Sequence, residues 1–206
     1  MPTFSFDELP TAHLIRNAIY EGGPTKDFSD DPIPPLVKGK NVGGFRKTGP
    51  YAVLYTNGIE PNWPDELSVD KRQFIYHGDR RKPDGDLHST PGNRFLEAQY
   101  QFLSTKQRAK LLPTFIFQKA NGSTPRAVQF LGLAVLGAAN IPDSDVLSTY
   151  WCRLNDQKFL NYRVIYTILN EEFVSREWLT NVLNSTLLTV NTPVSYRKFV
   201  EGGEYC

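Results

Sequence analysis

Short apolar segments separated by Gly, Pro and polar residues run along the whole chain. Alternating or continuous apolar runs predict strands, and helical spacing of apolar residues predicts helices. The strands are predicted over 51–56, 73–77, 112–118, 127–136 and 159–169, and the helices over 7–21, 94–110, 175–184 and 193–201, with Ser175 as an N-cap. Two polar segments, 57–72 and 79–93, are predicted as long loops, which in compact domains frequently carry function.

The order of these elements indicates the fold class. There is no regular strand–helix–strand alternation and no Gly-rich phosphate loop, so a doubly wound fold is disfavoured. Strands interrupted by a few helices predict an α+β fold in which a mostly antiparallel, curved sheet closes into a barrel with flanking helices. At 206 residues the chain is expected to form a single domain over 1–206.

Composition narrows the class of protein. With 40% hydrophobic and 13% aromatic residues the chain can form a packed core, which excludes intrinsic disorder. The longest apolar run, 130–139, is too short to span a membrane, and the N-terminus lacks the features of a secretory signal. A cytoplasmic location is therefore expected.

The residues that usually carry catalysis or bind metals show no recognisable pattern. Two cysteines, Cys152 and Cys206, and three histidines share no metal-ligand spacing, and no hydrolase or nucleotide-binding motif occurs. Cys152 follows Tyr150 and Trp151, a setting that favours burial over reactivity. We expect no catalytic residue, no metal site and no cofactor in this chain.

Charge is unevenly distributed. Residues 38–82 contain nine Lys and Arg against five Asp and Glu, although the formal net charge of the chain is only +1. A phosphate-binding face in that segment is one interpretation, and an ordinary solvated surface is the other.

Two resemblances to known families give these patterns a function. The segment 51–58, the loop with Trp63 and Asp65, and the segment 74–79 together are similar to the core of SRA-type 5-methylcytosine readers. Across nearly the whole chain, the sequence resembles the N-terminal domain of AspBHI-like modification-dependent restriction endonucleases, relatives of the MspJI group. The stretches that carry this resemblance are 43–46, 76–83, 87–91, 130–135, 161–163 and 176–179.

The resemblance implies an SRA-like reading module with methylated double-stranded DNA as its partner. The module would be the non-catalytic specificity domain of a type IV/IIM-like restriction endonuclease, and a C-terminal nuclease domain, expected outside this chain, would hold a divalent metal such as Mg²⁺. The resemblance leaves open the flanking-base preference, the choice between 5-methylcytosine and 5-hydroxymethylcytosine, and homo-oligomerisation.

Reading a modified cytosine in a duplex requires that the base be flipped out, stacked between aromatic rings and held by an acceptor at its N4 amine. In this chain the hypothesis assigns Trp63 and Tyr76 to the stack and Asp65 to the acceptor, with Glu60 and Glu66 as alternatives. His77 and Thr56 are assigned to the methyl group or base edge. The structural alternatives are a core role for Tyr76, a loop-packing role for Trp63 and a turn cap for Asp65.

Contacts to the DNA backbone and groove are predicted from the basic segment and the second loop. The predicted residues are Arg46, Lys47, Arg80, Arg81, Lys82, His88 and Asn93. Two other functions stay open at this point: a self-contained metal-dependent nuclease with an unrecognised site, and a reader of RNA or of another modification.

Overall fold

The computed structural model describes residues 1–25, 27–37, 45–47, 49–61 and 63–205, with the backbone alone for 46 and 47. The strands are β1 (Thr3–Phe4), β2 (Leu14–Ile15), β3 (Ile19–Tyr20), β4 (Phe45–Lys47), β5 (Ala52–Thr56), β6 (Glu66–Ser68), β7 (Gln73–His77), β8 (Thr114–Lys119), β9 (Val128–Leu136), β10 (Leu147–Leu154), β11 (Gln157–Ile168) and β12 (Phe173–Val174). The α-helices are α1 (Ile33–Val37), α2 (Pro91–Ser104), α3 (Asp143–Val146), α4 (Arg176–Leu183) and α5 (Val194–Val200). Short 3₁₀ helices lie at Phe6–Glu8, Phe28–Asp30 and Arg108–Lys110.

The chain divides into two compact units. The first contains residues 1–57, 113–134 and 169–197, and the second contains 58–112, 135–168 and 198–206. The prediction of one domain over 1–206 stays a prediction.

The first unit is organised by a mixed sheet. Its strands follow the order β4-β5-β8-β9; β5 and β8 are parallel, and the other neighbours in that order are antiparallel. Helix α4 packs on this sheet through Trp178, whose ring lies edge-on to Phe115 at 6.3 Å. The predicted N-cap of α4 is confirmed, because the Ser175 hydroxyl accepts a hydrogen bond from the Trp178 amide at 3.1 Å.

The second unit contains most of the predicted site residues. Its long strand β11 pairs antiparallel with β10 on one side and with β7 on the other, and β6 pairs antiparallel with β7. Phe74 and Tyr76 are buried on β7. The strand ends at His77, where the segment leading into helix α2 begins.

Most elements predicted from apolar patterning are confirmed, including the α+β class and the predominance of antiparallel pairing. The predicted helix over 7–21 is wrong: that segment forms a 3₁₀ turn followed by β2 and β3. Pro10 lacks the amide that a helix interior requires, and Asn17 adopts a left-handed backbone with φ of 66°.

The predicted barrel is also wrong. A barrel closes only when every strand has neighbours on both sides. In the part of the chain that the structure describes, β4 pairs only with β5 and β6 pairs only with β7, so the sheet keeps open edges.

Within the same ranges no helix is both long and apolar enough to cross a bilayer.

Candidate modified-DNA interface

The loop before β6 folds back onto the end of β7 through Asp65. The Asp65 carboxylate oxygen Oδ1 accepts a hydrogen bond from the backbone amide of His77 at 2.8 Å, and the Asp65 side chain is only 9% exposed. Two backbone hydrogen bonds shape the loop: Trp63 donates to Glu60, and Asp65 donates to Trp63. Among the described residues no hydrogen bond involves the second oxygen of Asp65, Oδ2. The anchored carboxylate therefore has one oxygen available as an acceptor.

Trp63 lies half-buried beside this carboxylate. Its indole Nε1 donates to the carbonyl of Arg80 at 3.2 Å, and its ring lies 6.5 Å from that of Phe159. The guanidinium of Arg81 lies over the indole at 5.5 Å from the ring centroid, within the range of a cation–π interaction. The edge of the indole is therefore held by a hydrogen bond, and one face of its ring is covered by the Arg81 side chain.

Tyr76 is more deeply placed than Trp63. Its side chain is 3% exposed and stacks on Phe74 with ring centroids 6.4 Å apart. Burial raises the pKa of the phenol well above its ordinary value, the charges of Asp65 and Asp79 raise it further, and Arg81 opposes them. The ring has little free surface, so a base can stack on it only after a neighbouring side chain moves.

The two residues predicted at the methyl group or base edge lie in different units. His77 is 3% exposed, its ring packs edge-on against Tyr150 at 4.7 Å, and its Nδ1 lies 3.6 Å from Asp65 Oδ1, beyond hydrogen-bond distance. Thr56 is buried at the end of β5 in the first unit. The alternative acceptors Glu60 and Glu66 are half-buried and exposed, respectively.

A buried polar network fixes the start of the second loop. The carboxylate of Asp79 accepts hydrogen bonds from the amides of Gly92 and Asn93 at 3.0 and 3.1 Å, and also from the Thr90 hydroxyl. It therefore caps the N-terminus of α2, where a negative charge is favourable. The fully buried Asn161 donates through Nδ2 to the carbonyl of Gly78 at 2.7 Å.

Asn161 connects further parts of this network. It also donates to the carbonyl of Arg80, and its Oδ1 accepts from the amide of Tyr162 and from Nδ2 of Asn93. A side chain at Gly78 would overlap the side-chain oxygen of Asn93, so glycine is required there by close packing. Sequence reasoning did not assign Asn161 or Asp79 a role; the only signal was that both lie in stretches carrying the family resemblance.

The predicted phosphate contact of Arg80 stays a prediction, and in this structure the side chain of Arg80 turns inward. It is 5% exposed, and its guanidinium donates to the carbonyls of Leu160, Pro83 and Gly85 at 2.8, 2.8 and 2.6 Å. These bonds hold the loop in shape and turn the charge inward. The next two residues, Arg81 and Lys82, are exposed.

Of the other predicted DNA contacts, Asn93 is buried and His88 is accessible. Asn93 is fully buried and donates to the carbonyl of Leu87 at 2.8 Å, so in this structure it supports the loop from inside. His88 is accessible, with its Nε2 2.9 Å from the Tyr162 hydroxyl and 2.9 Å from a carboxylate oxygen of Glu97. The side chains of Arg46 and Lys47 lie outside the described residues.

Two observations concern catalytic chemistry. In the described ranges no group of three or more His, Cys, Asp and Glu side chains is arranged to hold a metal ion. The Cys152 thiol is buried, as predicted, and burial raises its pKa, which disfavours the reactive thiolate.

Comparison with known proteins places this architecture in a family. The family model described as restriction endonuclease AspBHI N-terminal matches residues 14–206. No curated protein sequence matches the chain significantly.

Solved structures give the same result. The DNA recognition domain of the cytosine modification-dependent restriction endonuclease LpnPI is 38% identical with a TM-score of 0.89, and the match covers 100% of this chain and 95% of that one. The DNA modification-dependent restriction endonuclease AspBHI is 33% identical with a TM-score of 0.90, covering 98% of this chain and 97% of that one. The MspJI restriction endonuclease in complex with a 27-mer oligonucleotide shares the fold at 16% identity and a TM-score of 0.70, over 94% of this chain and 52% of that one. The chain therefore belongs to the family of the AspBHI restriction endonuclease N-terminal domain.

Proposed function

We propose that this chain recognises 5-methylcytosine, and 5-hydroxymethylcytosine as a second ligand, in double-stranded DNA by flipping the base out of the helix. It serves as the specificity domain of a modification-dependent restriction endonuclease. The observation that carries the proposal is the position of Asp65: one carboxylate oxygen is anchored on the end of β7, and the other is available beside Trp63.

The chemistry of cytosine fits this carboxylate. Cytosine presents an N4 amine as a donor where thymine presents a carbonyl, so a fixed acceptor selects cytosine over thymine. Because Oδ1 is bound to the His77 amide, the carboxylate keeps its orientation before the base arrives. An acceptor oriented in advance loses less conformational freedom on binding.

Stacking offsets the cost of extruding the base. Flipping a base costs a few kcal/mol, and stacking on an aromatic ring recovers roughly 1–3 kcal/mol per base. We propose that Trp63 provides the accessible ring and Tyr76 the deeper wall. Arg81 covers the indole of Trp63, so it is the side chain whose displacement exposes that ring to the base.

Further contacts to the duplex are part of the proposal. Arg81 and Lys82 are the exposed cations of the second loop and bind phosphates once the base has entered. His88 faces the groove, while Arg46 and Lys47 contribute from the basic segment of the first unit. His77 is proposed to contact the methyl group or the base edge, and the assignment of Thr56 stays a prediction from the sequence.

The catalytic step belongs to a separate part of the enzyme in this proposal. A nuclease domain that binds a divalent metal cleaves the DNA, and the recognition domain selects the DNA site. The LpnPI relative is itself a DNA recognition domain of such an endonuclease, which supports this division of labour.

The test is a binding competition between duplexes that differ only at one cytosine. The chain should bind the 5-methylcytosine duplex more tightly than the unmodified duplex or an RNA duplex of the same sequence. A 2-aminopurine next to the target base should brighten only with the modified duplex, because flipping unstacks it. Equal affinity for modified and unmodified DNA would contradict the proposed function.

A further inference from the structure

The hairpin formed by β10 and β11 has one buried face and one exposed face near its turn. In the register of this pair Cys152 lies opposite Phe159, and both are buried at 2% and 3% exposure. Trp151 lies opposite Leu160, and Arg153 lies opposite Lys158, so these four side chains share the other face. Asn155 and Asp156 close the hairpin with left-handed backbone angles of 48° and 63°.

Trp151 is an unusual residue on this outer face. Its side chain is 62% exposed, and it lies next to two exposed cations, Arg153 and Lys158. Arg153 is paired with Asp156 at 2.6 Å, but both side chains are solvent-exposed. Such exposed pairs contribute little to stability, so the guanidinium is available to a stronger anion.

The hairpin is continuous with the loop that carries the proposed DNA contacts. Arg80 donates to the carbonyl of Leu160, the residue opposite Trp151. Two residues further along β11, the hydroxyl of Tyr162 lies 2.9 Å from Nε2 of His88. By strand alternation Tyr162 shares the outer face with Leu160, so His88 of the second loop borders that face, whereas the guanidinium of Arg80 lies over Phe159 on the buried face.

The chemistry of this face fits duplex DNA. The cations Arg153 and Lys158 match the phosphates, and the indole of Trp151 offers both a donor and an apolar ring to a sugar. A two-stranded ribbon is also narrow enough to enter the major groove. We propose that the tip of the β10–β11 hairpin binds the DNA backbone beside the modified base, through Trp151, Arg153 and Lys158.

This inference rests on the proposed function, since it assumes that the chain binds DNA, but it concerns affinity alone. The hairpin tip should contribute equally to the affinity for modified and unmodified duplexes, because their phosphates and sugars are chemically identical. Its contribution is therefore read from the unmodified duplex, whereas the proposed function is read from the preference between the two.

The experiment measures duplex affinity as a function of salt for Trp151→Ala and Lys158→Ala in the 206-residue chain. Trp151→Ala should weaken binding to both duplexes by at least about fivefold. Lys158→Ala should lower the slope of log affinity against log salt by about 0.9. The preference for the modified duplex should stay at the wild-type value in both.

Matched controls come from the same unit. Val69 is 73% exposed in the turn before β7, at the opposite end of that strand from His77, and Lys106 lies just beyond the C-terminal end of α2. Val69→Ala and Lys106→Ala should leave affinity and slope unchanged, and thermal unfolding should show that all four variants are folded.

Three results would overturn the inference. The first is an unchanged affinity and salt slope in the hairpin variants. The second is a loss of preference instead of a uniform loss of affinity, which would assign the tip to base reading. The third is a change in molecular mass in solution for Trp151→Ala with DNA affinity retained, which would assign the face to a second copy of the chain. If wild type shows no preference for modified DNA but the hairpin variants still weaken binding, the proposed function fails and the DNA contact stands.

Discussion

The Asp65 carboxylate and the His77 amide are joined by a 2.8 Å hydrogen bond between a loop and the end of a strand. This bond brings together parts of the candidate site that are twelve residues apart in the chain. The two carboxylate oxygens also differ in their contacts: Oδ1 holds the loop, and Oδ2, which makes no hydrogen bond to the described residues, is the proposed acceptor for the N4 amine. Substitutions at Asp65 can therefore separate architecture from recognition.

Asp65→Asn should lose recognition while keeping the loop in place. The amide oxygen can still accept from His77, but the amide nitrogen then faces the N4 amine of cytosine, and two donors repel. Neither form of cytosine can then be held outside the helix, so both duplexes bind through backbone contacts alone. We therefore expect the preference for modified over unmodified duplex to disappear, with little change in the free energy of unfolding. Competition binding and urea denaturation measure the two quantities.

Asp65→Ala provides the comparison. It removes both oxygens and leaves the His77 amide without its acceptor, which should cost about 1–3 kcal/mol of unfolding free energy in addition to the loss of preference. If Asp65→Asn kept the wild-type preference, Asp65 would not be the N4 acceptor, and its role would be that of a loop anchor.

Arg80 and Arg81 should behave differently although they are adjacent. Arg81→Ala removes an exposed cation, so we expect the salt slope of DNA binding to fall by about 0.9 with stability unchanged. Arg80→Ala removes four hydrogen bonds to carbonyls and the guanidinium that lies over the Phe159 ring, so we expect a loss of stability of several kcal/mol. Equal effects of the two substitutions on slope and on stability would contradict this division.

Asn161 should be a positioning residue for the second loop. Asn161→Ala leaves the Gly78 carbonyl without its side-chain donor and the Tyr162 amide without its side-chain acceptor in a buried site, while the Arg80 carbonyl keeps the indole donor of Trp63. We therefore expect a loss of about 3 kcal/mol in the free energy of unfolding. Hydrogen exchange should become faster in residues 78–90 first. A control is Asn140→Ala, at an exposed position in the same unit, which should leave both quantities unchanged.

The sequence could predict this site only in part, for physical reasons. The alternation of buried and less buried residues around Phe74 and Tyr76 was sufficient to identify β7, because periodicity reports burial directly. Whether Arg80 or Arg81 turns inward is decided by carbonyls of residues 83, 85 and 160, and no local pattern encodes that choice. The exposed Trp151 was missed because β10 had not been identified as a strand, and its partner register was needed to see which face it occupies.

Glu21 gives the fold a dependence on acidity that is separate from recognition. Its carboxylate accepts from the amides of Ser123 and Thr124 at 2.7 and 2.9 Å and from the Thr124 hydroxyl at 2.7 Å, in the turn between β8 and β9. Burial alone would raise the pKa of Glu21, but these hydrogen bonds outweigh it, so the pKa lies below its ordinary value of 4.5. A depressed pKa stabilises the folded state above pH 4.5, and this stabilisation is lost as the pH falls through 4.5 towards the folded-state value.

Glu21→Gln should remove that dependence. At pH 7 we expect the variant to be less stable by about 2 kcal/mol, because its amide nitrogen faces N–H and O–H donors of Ser123 and Thr124 from which the carboxylate accepts hydrogen bonds. As the pH falls below 4.5, the difference from wild type should shrink towards zero, since the wild-type carboxyl becomes protonated and neutral as well. Urea denaturation between pH 3 and pH 7 measures both values, with Glu201→Gln, at an exposed position, as the control. A difference in stability that stays constant across this range would show that the charge of Glu21 does not stabilise the turn.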